Sequence, residues 1–429
     1  MMVGLVFGIF AVCLALAIPI GVGIGIATFV PGLMDGSFVA NATYIIRAVV
    51  GGVDSTPLLA IPLFMLSGSI MARGGISQKL FDVFAYLVGK RTAGIPMAVV
   101  LTCVFYGAIC GSGPATTAAV GAMTIPILVS LGYDKVFAAA LVASAGGIGI
   151  VIPPSIPFIL YGMATSTSIS ALFLAGVIPG LLIAALLMAY VYAYCRKRGE
   201  DRARVAENHE RLRERGFARI LRESFWALLT PIIILGGIYT GIVTPTEAGV
   251  ISVFYALIIC LFVYRTIRVS QIGELLDEAM HAFAPLGILI ALAAAFGRVL
   301  TLLQVPQMLA AFFTTNFSSP VPFLMILNLV LLLMGMVMDI GPNITILAPM
   351  LLPVVTGLHI DPVHFGVVMV VNLCIGFITP PFGLNLFVAA PMVGCPVETL
   401  GRRTFPFVLV YLAALLLITF IPAISLIIL

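Results

Sequence analysis

Hydroxyls, side-chain amides and one carboxylate gather at four Gly/Pro-rich interruptions in otherwise apolar sequence. Two of these read Gly111-Ser112-Gly113-Pro114-Ala115-Thr116-Thr117 and Asp339-Ile340-Gly341-Pro342-Asn343-Ile344-Thr345. The others run Gly146-Gly147-Ile148-Gly149 to Pro153-Pro154-Ser155, and Asn372 and Gly376 to Thr379-Pro380-Pro381 and Asn385. Broken helices leave carbonyls free, which with hydroxyls suit a hard cation such as sodium. NH groups at new helix starts suit a carboxylate. Ser112, Gly149 and Ser155 are assigned to one sodium site, and Asp339, Asn343, Gly376 and Thr379 to a second. Thr116, Thr117, Ser144, Thr345 and Asn385 are candidates for a substrate's oxygens. The plainer alternative is that these small residues only let helices pack closely.

Other polar residues fit structural roles more easily. Intramembrane charge is costly and usually functional, so Asp339 reads as a ligand or a structural hydrogen-bond partner. Arg298 reads as a snorkelling side chain or a substrate contact. Glu247, after Thr-Pro-Thr, reads as a helix N-terminal charge, and Asp54, His281, His359 and His364 as interfacial. The chain lacks GxxxxGK[ST], HExxH and GxSxG, which disfavours ATP hydrolysis and the corresponding enzymes. The seven cysteines show no CxxC or Cys/His spacing, so free buried thiols and no transition-metal site are expected. No cofactor is expected beyond sodium as coupling ion. One charge moved inward at 100 mV contributes about 2.3 kcal/mol, so an ion gradient can drive uptake.

The elements that must position these residues lie in lipid. The 429 residues are 62% hydrophobic and 9% charged, with mean hydropathy +1.23. A span needs about 20 apolar residues, so roughly ten crossings fit. The first residues lack a basic stretch and a cleavage site, so no removed signal peptide is expected. The long polar run Arg196–Glu223 carries 10 of the 21 Lys/Arg and six acidic residues. It reads as a helix in water or along headgroups, or as a plain linker.

The two halves around it match at a shift of 226 to 228 residues: Ile18-Pro19 with Thr244-Pro245, Gly113-Pro114 with Gly341-Pro342, Asp134 with Asp361, and Pro153-Pro154 with Pro380-Pro381. Four matches in order argue for duplication. Residues 1–195 form the first repeat: spans 2–17, 20–34 and 58–72 as scaffold, a transport hairpin and broken helix over 94–170, and a closing span 171–195. Residues 196–225 form the linker. Residues 226–429 form the second repeat: scaffold 226–303, hairpin and broken helix 321–393, closing span 405–428. Amphipathic connectors fall near 36–56 and 266–280. The stretch 94–131 reads as a re-entrant hairpin, since each limb is short of a full span.

Five crossings per half place 19 of the 21 Lys/Arg on one face, leaving Arg47 and Arg298 elsewhere. The positive-inside rule makes that face cytoplasmic. An odd number of crossings inverts the second half. The fold class is therefore an all-α polytopic membrane protein with two inverted repeats, two re-entrant hairpins and two broken helices. Paired broken helices point to a secondary transporter.

The runs Ile61-Pro62-Leu63-Phe64, GSGPATTAAVG (111–121), GGIGIVIPPSIP (146–157), TPTEAG (244–249) and GFITPPFGLNLF (376–387) resemble the large membrane subunit of tripartite ATP-independent periplasmic (TRAP) transporters. The likeness covers essentially the whole chain. It implies an elevator-type fold of the ion transporter superfamily kind, a small membrane subunit of four helices, and a periplasmic substrate-binding protein. It also implies carboxylate substrates such as C4-dicarboxylates or sialic acids, taken up across the inner membrane. Met1 opens directly in the first matching span, so no fused small subunit is expected. A stand-alone sodium–carboxylate symporter and a passive channel are the competing readings.

Overall fold

Gly and Pro divide the apolar sequence into helices joined by short turns. The computed structural model describes residues 2–34, 40–316 and 319–429; positions 36–39 of the expected connector lie outside them. The first half comprises α1 (Met2–Ala15), α2 (Ile20–Met34), α3 (Ala42–Val53), α4 (Ala60–Arg73), α5 (Ile76–Val88), α6 (Gly94–Cys110), α7 (Gly113–Ser130), α8 (Lys135–Gly147), α9 (Ile156–Thr165) and α10 (Ile169–Arg198). The linker holds α11 (Arg202–Arg215). There follow α12 (Phe217–Tyr239), α13 (Pro245–Ile258), α14 (Ile272–Leu302), α15 (Val305–Asn316) and α16 (Pro320–Val337). The chain closes with α17 (Ile340–Gly357), α18 (Pro362–Gly376), α19 (Leu384–Val393), α20 (Val397–Phe420) and α21 (Ala423–Leu426). Nine helical stretches among the described residues are long and apolar enough to cross a membrane, and three of them, α7, α16 and α17, are hairpin limbs, longer than the sequence reading expected.

Helix starts carry the expected caps. Thr244 and Glu247 form a capping box: the Thr244 amide donates to Glu247 Oε2 at 2.7 Å and the Glu247 amide to Thr244 Oγ1 at 3.3 Å. Glu247 is thus the helix N-terminal charge its position suggests. Asp134 and Asp361, which match across the halves, cap α8 and α18.

Three boundaries differ from expectation. The connector 266–280 and the following span are mostly one continuous helix, α14, because Pro285 is accommodated within it. The linker ends sooner than residue 225, since α12 begins at Phe217. Helices α5 and α15, which precede the hairpins, are absent from the span pattern because they are short and only partly apolar. His364, at the start of α18, is packed inside the protein. It is 2% exposed, with its ring nitrogens 3.3 Å from Ser425 Oγ and the Thr419 carbonyl, because α20 and α21 fold over it. The cysteines are free; six are buried and Cys395 is half-buried.

Candidate functional site: two hairpin tips against two helix breaks

At the first tip, Gly111 takes φ +64°, ending α6 and turning the chain into α7. Ser112 caps α7: its Oγ accepts from the Ala115 amide at 3.5 Å, and its carbonyl accepts the Thr116 hydroxyl at 2.8 Å. At the second tip, Asp339 caps α17, Oδ1 accepting the Ile340 amide at 2.8 Å. A carboxylate there also meets the positive end of the helix dipole. One turn later Asn343 donates Nδ2 to the Met338 and Asp339 carbonyls, both at 3.1 Å.

The breaks are closed by hydroxyls. Buried Ser155 donates to the Ile150 carbonyl at 2.5 Å and accepts from the Phe158 amide at 3.3 Å, stitching α9 to the short turn after α8. Thr379 donates to the Ile375 carbonyl at 2.7 Å. Each tip then meets the break of its own half. The Ile156 amide donates to the Gly111 carbonyl at 3.3 Å, and the Phe382 amide to the Met336 carbonyl at 3.1 Å. A methyl on Gly107 would lie 2.5 Å from Gly149 Cα, and one on Gly376 2.2 Å from the Gly335 carbonyl oxygen. Gly149 and Gly376 therefore have a packing reason to be glycine, whatever else their backbones do.

The four motifs converge on a cavity of about 310 Å³ lined by Ser112, Pro114, Asp339, Gly341, Phe377 and Leu384. Asn385 stands close by, its Oδ1 3.4 Å from where a Gly113 Cβ would be, with Nδ2 donating to the Ala143 carbonyl at 2.9 Å. Thr116, Thr117, Ser144 and Ser155 are fully buried behind the tips. Four of the buried side-chain oxygens without a protein partner belong to these motifs, Thr117 Oγ1 and Oδ1 of Asn343, Asn372 and Asn385, and Ser144 Oγ lies two residues before the first break. An unmade buried hydrogen bond costs about 1–3 kcal/mol, so these oxygens are the polar groups of the motifs whose burial the protein itself does not offset.

Thr345 does not join this group. It donates to the Gly341 carbonyl at 2.9 Å and lines a separate cavity of about 500 Å³ with Arg298, Ser55 and Ser166. Arg298 thus faces a cavity. Among the described residues, no group of three or more His, Cys, Asp or Glu could hold a metal ion.

Sequence reasoning missed Asn328 and Tyr411. Asn372 donates to Asn328 Oδ1 at 2.9 Å, and Asn328 donates to Thr419 Oγ1 at 3.1 Å. Tyr411 donates to the Ser144 carbonyl at 2.7 Å. A lone amide inside Met-Ile-Leu-Asn-Leu-Val was the available signal, because a polar group in a span needs a partner.

An all-helical, multi-pass membrane protein with interrupted helices around a shared cavity is built for transport rather than for bond-making chemistry. Residues 7–424 match the family model described as "Tripartite ATP-independent periplasmic transporter, DctM component", and the chain belongs to that family. It is 41% identical over 97% of its length to the isethionate TRAP transporter permease protein DctMQ of Oleidesulfovibrio alaskensis, and spans 65% of that relative. It is 44% identical to the C4-dicarboxylate TRAP transporter large permease protein DctM of Pseudomonas aeruginosa, over 86% of this chain and 85% of that one. It is 36% identical to the sialic acid TRAP transporter large permease protein SiaM of Vibrio cholerae, over 89% and 88%. Among solved structures, the YdaH transporter of Alcanivorax borkumensis shares the fold with a TM-score of 0.63 at 18% identity, covering 89% of each chain. MtrF of Neisseria gonorrhoeae does so at 0.61 and 15%, covering 89% of this chain and 84% of its own. The chain is a membrane transport protein and not an enzyme.

Proposed function

We propose that this chain is the large membrane subunit of a binding-protein-dependent transporter that takes up a small organic anion across the inner membrane on a sodium gradient. Sodium ions bind at Ser112, Gly149 and Ser155 and at Asp339, Asn343, Gly376 and Thr379. The substrate's carboxylate meets the cavity between the tips, with Thr116, Thr117, Ser144 and Asn385 contributing hydroxyl and amide groups. The observation that carries this reading is the cavity that Ser112 and Asp339 both line, with the partnerless Oδ1 of Asn385 standing by Gly113 at the first tip. Oxygen donors of that kind suit sodium, and the two helix starts suit an anion.

The two halves act as inverted repeats. Matching bounds of α7 with α17 and of α8 with α18 support this. Each tip ends at the level of its break rather than beyond it, which supports re-entrant hairpins. In the elevator reading α6–α9 and α16–α19 slide against the outer spans, with residues 196–225 on the cytoplasmic side. The partners are a small four-helix membrane subunit and a periplasmic substrate-binding protein, and the substrate is a carboxylate such as a C4-dicarboxylate or a sialic acid.

The test is uptake by the chain and its small subunit in proteoliposomes, with sodium or potassium and with or without the binding protein. Uptake requiring both sodium and the binding protein is expected. Uptake unaffected by replacing sodium would sink the coupling, and full uptake without the soluble partner would favour a stand-alone symporter.

A further inference from the structure

The linker reaches back to the base of the first hairpin. Glu200, between α10 and α11, accepts the Ala93 amide on both carboxylate oxygens at 3.0 Å, just before α6. The Tyr133 hydroxyl, just after α7, donates to the same carboxylate. One side chain therefore holds both feet of the hairpin, across separations of 107 and 67 residues. Arg204 adds a second tie, donating to the Ser130 carbonyl at 3.3 Å while paired with Asp201 at 3.0 Å.

The choice of partners is specific. Glu200 sits in the most basic stretch of the chain, yet the ion pairs found among the described residues do not include it. Its charge goes instead to a fully buried backbone amide at a helix start and to a phenol. Charge-assisted hydrogen bonds to NH groups at a helix start are among the stronger ones. Burial and the bond to Glu200 both push the Tyr133 phenol well above its usual range, so it remains a donor at any working pH.

We propose that Glu200 is a positioning residue for transport, a two-footed clamp that makes the limbs α6 and α7 move as one body. This rests on the reading that the hairpin moves. The clamp stands far from the tip in sequence and leaves ion and substrate groups untouched. Its loss should therefore slow turnover without changing binding.

The experiment combines a distance measurement with uptake in the full chain assembled with its small subunit and binding protein. Spin labels at Lys90→Cys and Val129→Cys, with Cys395→Ser, report the separation of the feet. A narrow distribution is expected in the parent, a broad one in Glu200→Ala, an intermediate one in Tyr133→Phe, and near-recovery in Glu200→Gln, which keeps a carbonyl acceptor. Sodium-driven uptake of labelled succinate, sialic acid or isethionate is then measured for whichever the parent carries. Glu200→Ala should lower maximal uptake per folded transporter about tenfold, with substrate KM and sodium half-saturation within twofold of the parent. A narrow distribution in Glu200→Ala, unchanged maximal uptake, or a shifted KM at unchanged maximal uptake overturns the proposal. Sodium-independent uptake with the same Glu200 loss overturns the coupling reading while supporting the clamp. Where the parent carries none of the three compounds, the distance widths decide.

Discussion

The thiol of Cys374 donates to the carbonyl oxygen of Gly147 at 3.1 Å, and the two residues stand 227 positions apart. That separation is also the shift relating Ser112 to Asp339 and Pro153-Pro154 to Pro380-Pro381. Equivalent positions of two copies touch near an axis relating the copies. The contact ties the end of α8 to α18 just before the two breaks. A methyl on Gly147 would lie 2.9 Å from the Tyr411 hydroxyl and 3.1 Å from Cys374 Sγ. Overpacking of this kind costs about 1–3 kcal/mol. Gly147→Ala should lower the thermal unfolding midpoint of the purified protein, and Cys374→Ala in the same chain should recover part of the loss. An unchanged midpoint would show that the interface has room to spare.

Asp339 is the acidic residue among the four motifs and lines the shared cavity. Its Oδ1 already accepts the Ile340 amide, leaving the second oxygen for a cation. Asp339→Ala should raise the sodium half-saturation of uptake about tenfold, equivalent to about 1.4 kcal/mol. Asp339→Asn, which keeps the cap, should fold normally and still bind sodium weakly. A sodium titration of Asp339→Ala superimposable on the parent's would remove this residue from the site.

Ser155 closes the first break through both a donated and an accepted hydrogen bond. Losing a helix cap costs about 1 kcal/mol. That is too little to unfold a chain this size, but enough to loosen the local geometry. Ser155→Ala should therefore express normally and lose most of its uptake. Uptake at the parental rate would mean that the break does not depend on this serine.

The motifs were legible in the sequence because polar residues at Gly/Pro interruptions have few structural alternatives in lipid. Ser112 and Asp339 both line one cavity. The role of Thr345 was not legible: it shares a face of α17 with Gly341 but lies one turn further along the helix, and that axial step places it at the other cavity. Helix α5 was hidden because its burial is amphipathic, with Asp82 accepting from Gln78 and from distant Arg215. The Glu200 clamp was invisible because it joins residues remote in sequence through a backbone amide, which carries no side-chain signature.

Arg215, ending α11, pairs with Asp82 of α5 at 2.7 Å, and the Asp82 side chain is only 10% exposed. The hydrogen bond with Asp82 raises the Arg215 pKa, so the guanidinium stays charged. Arg215→Ala strands a largely buried carboxylate and should destabilise the protein by about 1–3 kcal/mol. Asp82→Asn in the same chain should restore much of that. Measured thermal midpoints for the two single variants and the double variant decide it; simple additivity would show that the two residues do not depend on each other.

Asn343 and Asn385 offer a test of the proposed division between ion groups and substrate groups. Both are buried and present a partnerless Oδ1, but on different elements. Asn343 follows Asp339 on α17, while Asn385 sits near Gly113 at the opposite tip. A ligand's amide partner contributes about 0.5–1.5 kcal/mol net, or roughly a twofold to thirteenfold change in affinity. Asn343→Ala should raise the sodium half-saturation by that factor and leave substrate KM at saturating sodium within twofold. Asn385→Ala should do the reverse. If both variants shift both constants equally, sodium and substrate share these ligands, and the division between ion groups and substrate groups is wrong.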